Sequence, residues 1–330
     1  MKIAVDAMGG DFAPREAVLG SLWAVRDWGL EVVLVGDEAT IRAELAGYGP
    51  VDGVEVFHAP EVIAMHEQPA VAVRKKRQSS IVLAVQLVKT GVAAGLVSAG
   101  HTGATMAAAL LGLGRIGGVD RPAIASVLPD EHGGTVLLDA GANVDCKPYN
   151  LTQFALMGSI YAEKIRGIAN PRVGLLSVGE EDCKGNELTL ATFPLLKGLP
   201  INFVGNVEGR DVFGGHVDVV VCDGYTGNIV LKTTEGLAGT LFRMIRARIG
   251  SSGRDLLPII DELTRRLDYA EYGGAPLLGV NGVVVISHGS SRAKAFKNAV
   301  RVAAESVDNG LVRAIGAMVT SYDERVSADA

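Results

Sequence analysis

Residues 217–228 read VDVVVCDGYTGN, and the apolar run Ile229-Val230-Leu231 follows directly. Small and β-branched residues end at Cys222-Asp223-Gly224, and a Thr226-Gly227 pair stands where a helix can begin. A β-branched run suits a buried strand, and Asp is a residue type that caps helix starts. The stretch therefore reads as strand, glycine turn, helix. An echo lies upstream: Gly95-Leu96-Val97, then SAGHTGA over 98–104, then Met106-Ala107-Ala108-Ala109-Leu110. The unit recurs elsewhere. Lys2-Ile3-Ala4-Val5 runs into AMGGDFAP and a helical stretch over 15–27. The run 31–35 ends at Gly36-Asp37 before a helical 39–46. The run 173–178 ends in GEEDCKGN before a helical 187–196, and 283–287 ends in HGSS before a helix over 292–310. Strands alternating with helices predict an α/β fold of three layers, α/β/α, with the sheet covered on both faces. Residues 123–128 and 135–139 flank a turn and read as a hairpin, as does 278–287, so the sheet is expected to be mixed but largely parallel.

Composition agrees. The chain has 330 residues, 48% of them apolar and 21% charged, which is a folded chain and not a disordered one. Glycine is abundant at 42 and aromatics are scarce at 5%, which favours parallel strands joined by tight turns over an aromatic-rich sandwich. A net charge of −6 argues against nucleic acid as a partner. Cys146, Cys183 and Cys222 have no CxxC spacing, and their odd number argues against a disulfide framework, so a cytoplasmic setting is expected. The strand pattern beginning at Lys2 leaves no signal-peptide pattern. Residues 90–114 carry no formal charge over 25 positions, but Ser98-Ala99-Gly100-His101-Thr102-Gly103 at their centre would break a spanning helix. Strand, turn and helix explain the same letters. No linker-like tract divides the chain, so one domain over 1–330 is expected, with a helical hairpin projecting over 237–272.

Ligands of such sheets lie beyond the carboxyl ends of strands, where small residues admit the backbone and helix N-termini attract anions. The glycine turns are thus expected to point at one anion-binding crevice. None is a dinucleotide fingerprint or a P-loop. In GEEDCKGN, Lys184 reads either as a cation presented to an anion or as one charge in a solvated loop. In CDGYTGN, Thr226 and Asn228 are candidate donors, while Asp223 either orients a neighbour or caps the helix. SAGHTGA offers Ser98, His101 and Thr102. HGSS offers His288, Ser290 and Ser291, and with no G-x-S-x-G elbow in the chain a Ser-His hydrolase is discounted. Asp6, Asp11, Asp139 and Asp145 fall near strand ends, where metal binding is the lesser reading; no metal is expected. Two basic clusters, Arg74-Lys75-Lys76-Arg77 and Arg243, Arg246 and Arg248, read as solvated charge or as docking sites for an acidic protein. DLLPIIDELTRRL over 255–267 keeps helical spacing, and Leu256, Leu257 and Ile260 read as a dimer contact or a membrane contact.

Eight motifs in colinear order carry a resemblance. DAMGGD (6–11), SAGHTGA (98–104), LLDAGANVDCKP (137–148), GEEDCKGN (179–186), GNVEGRD (205–211), DGYTGNIVLKTTEG (223–236), YGGAPLLGVNG (272–282) and HGSS (288–291) closely resemble the phosphate acyltransferase family of bacterial phospholipid synthesis. The likeness runs from about residue 1 to 310, with one departure: the family usually has Asn where this chain has His101. The resemblance implies a fold like that of isocitrate and isopropylmalate dehydrogenases and phosphotransacetylases, a homodimer and no redox cofactor. It implies transfer of a fatty acyl group from acyl carrier protein to inorganic phosphate, giving acyl phosphate for a membrane glycerol-3-phosphate acyltransferase. Lys184, Thr226 and Asn228 would then serve the reacting centre. Thr102 and the HGSS turn would complete the cradle, the basic clusters would dock the carrier protein, and Leu256, Leu257 and Ile260 would give peripheral membrane contact.

Overall fold

A computed structural model describes residues 1–130, 132–249, 260–263 and 269–328. The first stretch alternates strand and helix: β1 (Lys2–Asp6), α1 (Arg15–Trp28), β2 (Glu31–Gly36), α2 (Glu38–Ala46), β3 (Val54–His58), α3 (Pro69–Lys75), α4 (Ser80–Lys89), β4 (Gly95–Ser98) and α5 (Thr102–Gly112). The middle contributes β5 (Ala123–Leu128), β6 (Thr135–Leu138), α6 (Pro148–Lys164), β7 (Arg172–Leu176), α7 (Glu187–Lys197), β8 (Asn202–Val207), β9 (Val219–Val221) and α8 (Gly224–Ile249). The last part adds the short α9 (Tyr269–Tyr272), β10 (Ala275–Leu278), β11 (Val283–Ile286), α10 (Ala293–Asp308) and α11 (Leu311–Ala328). The expected α/β architecture with a mixed, mostly parallel sheet is what forms. Strand β3, helix α3 and helix α11 are additions to the elements read from the sequence. In β3 the side chains of VEVFH are exposed or half-buried, so the edge strand lacks the apolar run that marks β1 and β2.

The strands form one sheet in the order β3-β2-β1-β4-β11-β10-β5-β6-β9-β7-β8. From β3 to β11 every pairing is parallel, as it is from β6 to β8. Between these sets lie three antiparallel pairings, β11 with β10, β10 with β5, and β5 with β6. Three reversals make the two parallel sets run in opposite directions, so their carboxyl ends leave opposite edges. The crevice is therefore not built along one edge, as a wholly parallel sheet would build it.

β10 is shared in halves. Ala275 and Pro276 pair with β11, while Leu277 and Leu278 pair with β5. Ser126 and Val127 of β5 pair with β6 on one side only. The sheet opens at that level, and the opening becomes the cleft. Helices α5 and α8 lie on the same face, because Ala104 and Ala108 of α5 belong to the buried cluster against which Val230 and Leu231 of α8 pack. Two further clusters cover the opposite face, one beneath α6 around Phe154 and Met157, the other beneath α1 and α10 around Leu22 and Phe296. Residues 90–114 are the expected strand, turn and helix, and no described helix is long and apolar enough to cross a membrane.

Candidate active site

A cleft of about 530 Å³ lies between the starts of α5 and α8. One wall presents Asp11, Gly100, Thr102 and the 287–289 turn; the other presents Gly141, Gly224, Tyr225 and Asn228. Ile124, Val127, Ala275 and Ile286 supply an apolar floor where the sheet opens, and Met65, Val144 and Leu231 extend it. Lys232 and Glu235 line the rim and pair with each other at 2.8 Å.

The CDGYTGN turn owes its letters to close packing. Asp223 caps α8: its Oδ1 accepts from the Thr226 N–H at 2.9 Å and its Oδ2 accepts from the Thr226 hydroxyl at 2.8 Å. The Thr226 hydroxyl proton is thus engaged within the turn. Both glycines are required by proximity. A Cβ at Gly224 would stand 2.7 Å from the Asn143 carbonyl oxygen and from Asp139 Oδ2, and one at Gly227 would stand 1.9 Å from the Asp139 carbonyl oxygen. One turn on, Asn228 is exposed in the cleft against Gly141, and its side chain makes no hydrogen bond with the described residues.

The SAGHTGA turn is built alike. Ser98 is buried, donates to Asp6 Oδ2 at 2.8 Å and accepts from the Gly100 N–H at 3.1 Å. His101 is the N-cap of α5: its Nδ1 accepts from the Gly103 N–H at 3.1 Å. An Asn side chain does the same work through its carbonyl oxygen, so the departure at His101 preserves the cap. Thr102 is exposed in the lining.

The HGSS turn is tied to the first glycine turn by the Asp11 N–H, which donates to the Gly289 carbonyl at 2.8 Å. His288 lines the cleft; its Nδ1 lies 2.7 Å from Ser290 Oγ and accepts from the Ser290 N–H. That bond leaves Nε2 to carry the proton in the neutral ring. Ser287 and Ser291 are buried hydroxyls without a hydrogen-bond partner among the described residues, and Ser287 borders the cleft. A buried hydroxyl left unpaired is costly, which makes Ser287 a ready contact for a bound ligand.

GEEDCKGN stands apart from this lining. The Lys184 N–H donates to the Glu181 carbonyl at 2.9 Å, the Lys184 carbonyl accepts from Ser177 Oγ, and Asn186 caps α7. The Lys184 side chain is exposed and is not part of the cleft wall. Asn206 of the GNVEGRD turn donates to the Glu181 carbonyl at 2.8 Å and so braces this loop. Cys183 is exposed; burial pushes the half-buried Cys146 thiol up to about 11 and the buried Cys222 well above its ordinary value, so neither of these two is a ready nucleophile.

Of the basic residues, Arg74, Lys75 and Arg77 are exposed, while Lys76 pairs with Glu67 at 2.6 Å. On α8, Arg243 donates to Thr240 Oγ1, Arg246 pairs with Asp261 at 2.7 Å, and Arg248 is exposed. Leu256 and Leu257 lie outside the described residues, as does most of the second half of the expected hairpin. Ile260 is buried and so is not presented outward. The sequence offers Asp139 only as a lesser metal candidate and does not single out Asn143 or Ser126, although DAGANVD at 139–145 follows a strand as DAMGGD at 6–11 does. Asp6 and Asp139 spend their oxygens on N–H and O–H donors, and no group of three or more metal-ligating side chains occurs among the described residues.

The chain is similar to known proteins over nearly its whole length. A family model described as "Fatty acid synthesis protein" matches residues 1–314. The "Phosphate acyltransferase" of Pelotomaculum thermopropionicum is 61% identical over 329 residues, covering 98% of this chain and 96% of that one. That of Moorella thermoacetica is 53% identical, covering 99% and 98%. The chain belongs to the phosphate acyltransferase family. It is an acyltransferase enzyme of lipid synthesis. Solved structures share the fold of this acyltransferase. A phosphotransacetylase from Streptococcus pyogenes superposes with a TM-score of 0.64 at 20% identity over 93% of this chain and 94% of that one. A 4-hydroxythreonine-4-phosphate dehydrogenase from Klebsiella pneumoniae gives 0.52 at 14% identity, covering 93% and 97%.

Proposed function

We propose that this acyltransferase moves a fatty acyl group from the thioester of acyl carrier protein to inorganic phosphate. A phosphate oxygen attacks the thioester carbonyl, the C–S bond breaks, and the carrier thiolate takes up the proton phosphate gives up. The products are acyl phosphate and free carrier protein. The acyl phosphate feeds a membrane acyltransferase on the route to phosphatidic acid.

The observation that carries this reading is the two-sided character of the cleft. Polar groups from two helix starts, Thr102 and Asn228, face each other above an apolar floor. Phosphate suits the polar arc, since helix N-termini and backbone N–H groups favour an anion. A fatty chain suits the floor. Phosphate is already an anionic nucleophile and a thiolate leaves readily, so orientation and oxyanion donors matter more than a strong base. Asn228 is the donor assigned to the developing oxyanion. Thr226 holds the turn beneath it, and Thr102, Ser287 and His288 flank the phosphate. Lys184 is assigned to the phosphate or the developing oxyanion on the strength of its motif, since its loop stands apart from the cleft lining. Leu237, Leu241, Met244 and Ile245 form an exposed apolar stripe at helical spacing on α8, which supports placing that helix in a homodimer. Leu256 and Leu257 are assigned to a peripheral membrane contact.

Incubation with phosphate and either palmitoyl carrier protein or acyl coenzyme A, with hydroxylamine trapping of acyl phosphate, tests the reading. Product from the carrier protein is expected; product only from short-chain acyl coenzyme A overturns it in favour of a short-chain phosphotransacylase. Asn228→Ala is expected to lower kcat about 10²-fold, the usual cost of losing one oxyanion donor. Lys184→Ala is expected to lower activity as well. Folded variants with full activity would remove these assignments.

A further inference from the structure

We propose that Asp139 is the positioning residue for Asn228, and that Asp6 serves the opposite wall of the cleft in the same manner. Neither carboxylate lines the cleft. Each ends or follows a strand beside the one that carries a Thr-Gly turn: Asp6 ends β1, next to β4, and Asp139 follows β6, next to β9.

Asp139 is fully buried and accepts five hydrogen bonds. Its Oδ1 takes the N–H groups of Ile124 at 3.0 Å, Gly141 at 3.1 Å and Ala142 at 3.0 Å. Its Oδ2 takes the Asn143 N–H at 2.7 Å and Asn143 Nδ2 at 2.9 Å. The turn so gathered holds the next element. The Asn143 carbonyl accepts from the Gly224 N–H, the first residue of α8, at 2.7 Å. Gly141 faces Asn228, whose Cβ and Oδ1 are 3.5 Å from where a Cβ at Gly141 would be. One carboxylate thus fixes both the surface behind Asn228 and the helix start that carries it.

Asp6 repeats the arrangement. It is buried and accepts from Ser98 Oγ at 2.8 Å and from the Met8 N–H at 3.2 Å. Ser98 in turn accepts from the Gly100 N–H, two residues before Thr102. A Cβ at Gly9 would come within 2.6 Å of the Gly100 nitrogen, so the two turns are in contact, as the 139–143 and 222–224 turns are. Burying a carboxylate without a cation is costly, and it persists where its acceptor sites over-determine a backbone that must not move. A displacement of about 1 Å in a reacting arrangement costs on the order of 10²-fold in rate.

The inference rests on the assignment of Asn228 as an oxyanion donor, and a double-mutant cycle separates the two. Asp139→Asn keeps the shape but brings an NH₂ against donors whichever way the amide faces. In the natural background it should lower kcat roughly 10- to 100-fold. In the Asn228→Ala background the same change should cost less than about 3-fold, because its effect passes through Asn228. Asp6→Asn should lose its full factor in both backgrounds, since it acts on the other wall. Thermal melts identify folded proteins. If Asp139→Asn does not fold, Asn143→Ala, which removes one donor and keeps the carboxylate, is read in the same cycle. Equal losses in both backgrounds overturn the role of Asp139 while leaving Asn228 intact. Full activity of Asn228→Ala overturns the assignment of Asn228, and the positioning role with it.

Discussion

At the scale of single residues, position within one helix decides what a glycine does. Gly227 and Gly236 both lie in α8. A Cβ at Gly227 would be 1.9 Å from the Asp139 carbonyl, whereas one at Gly236 meets nothing within 4 Å. Gly227→Ala must push α8 off the 139–143 turn and is expected to destabilise by about 1–3 kcal/mol, the range for overpacking. Gly236→Ala relieves the helix of a flexible residue and should stabilise by about 0.5–1 kcal/mol. Denaturant melts of the two variants should therefore move in opposite directions. The letters put Gly227 in a turn where a helix can begin, but not against the Asp139 carbonyl, which only the packing of the 139–143 turn brings there. The Thr226 hydroxyl is a similar case. Its residue type marks a donor, but its partner, Asp223, is assigned only by the cap geometry.

Among the elements, β7 and β9 at the sheet edge are tied by an ion pair. Arg172, which opens β7, donates from its N–H and Nε to Asp218 Oδ2 at 2.7 and 2.9 Å and from Nη2 to Oδ1 at 2.9 Å. Burial works to raise the Asp218 pKa, but the Arg172 donors outweigh it, and the carboxyl is held below its usual range. The sign follows. A carboxyl lowered in the folded state adds stability that is complete above its unfolded pKa, about 3.9, and is lost as pH falls through the folded value. Asp218→Asn should melt below the natural protein at pH 7. The gap should close as the pH falls below about 4. Arg172 is partly exposed, so about 1 kcal/mol is the scale to look for. The strand-and-turn reading located this pair's elements but not their adjacency, because β7 and β9 are neighbours in the sheet and 46 residues apart in the chain.

For the whole molecule, charge sets the problem. The chain carries a net −6, so the acidic carrier protein proposed as acyl donor would meet overall repulsion and would need a local basic surface. Arg74, Lys75 and Arg77 offer one on and just beyond α3. The first residue of that helix, Pro69, packs on Gly103 in the first turn of α5, beside the cleft. Reversing these three charges should raise KM for the carrier protein roughly 3- to 10-fold at low salt, with the effect shrinking as ionic strength rises. An unchanged KM would place docking elsewhere, with Arg243, Arg246 and Arg248 the next surface to reverse.

The sequence by itself determined the layers, most strand and helix starts, and the turns that carry the cleft's polar residues. These follow from local causes: the period of apolar residues, capping chemistry, and glycine where backbones meet. It also contained the motifs by which the family is known. Tertiary structure alone decided that the two parallel sets oppose each other, since three antiparallel pairings between distant strands set their direction. It alone placed Lys184 off the wall and Asn228 on it, and it turned Asp6 and Asp139 from candidate ligands into the buried anchors of two turns. Those outcomes depend on which backbone donors converge on a side chain, and convergence between residues far apart in the chain exists only once the sheet has formed.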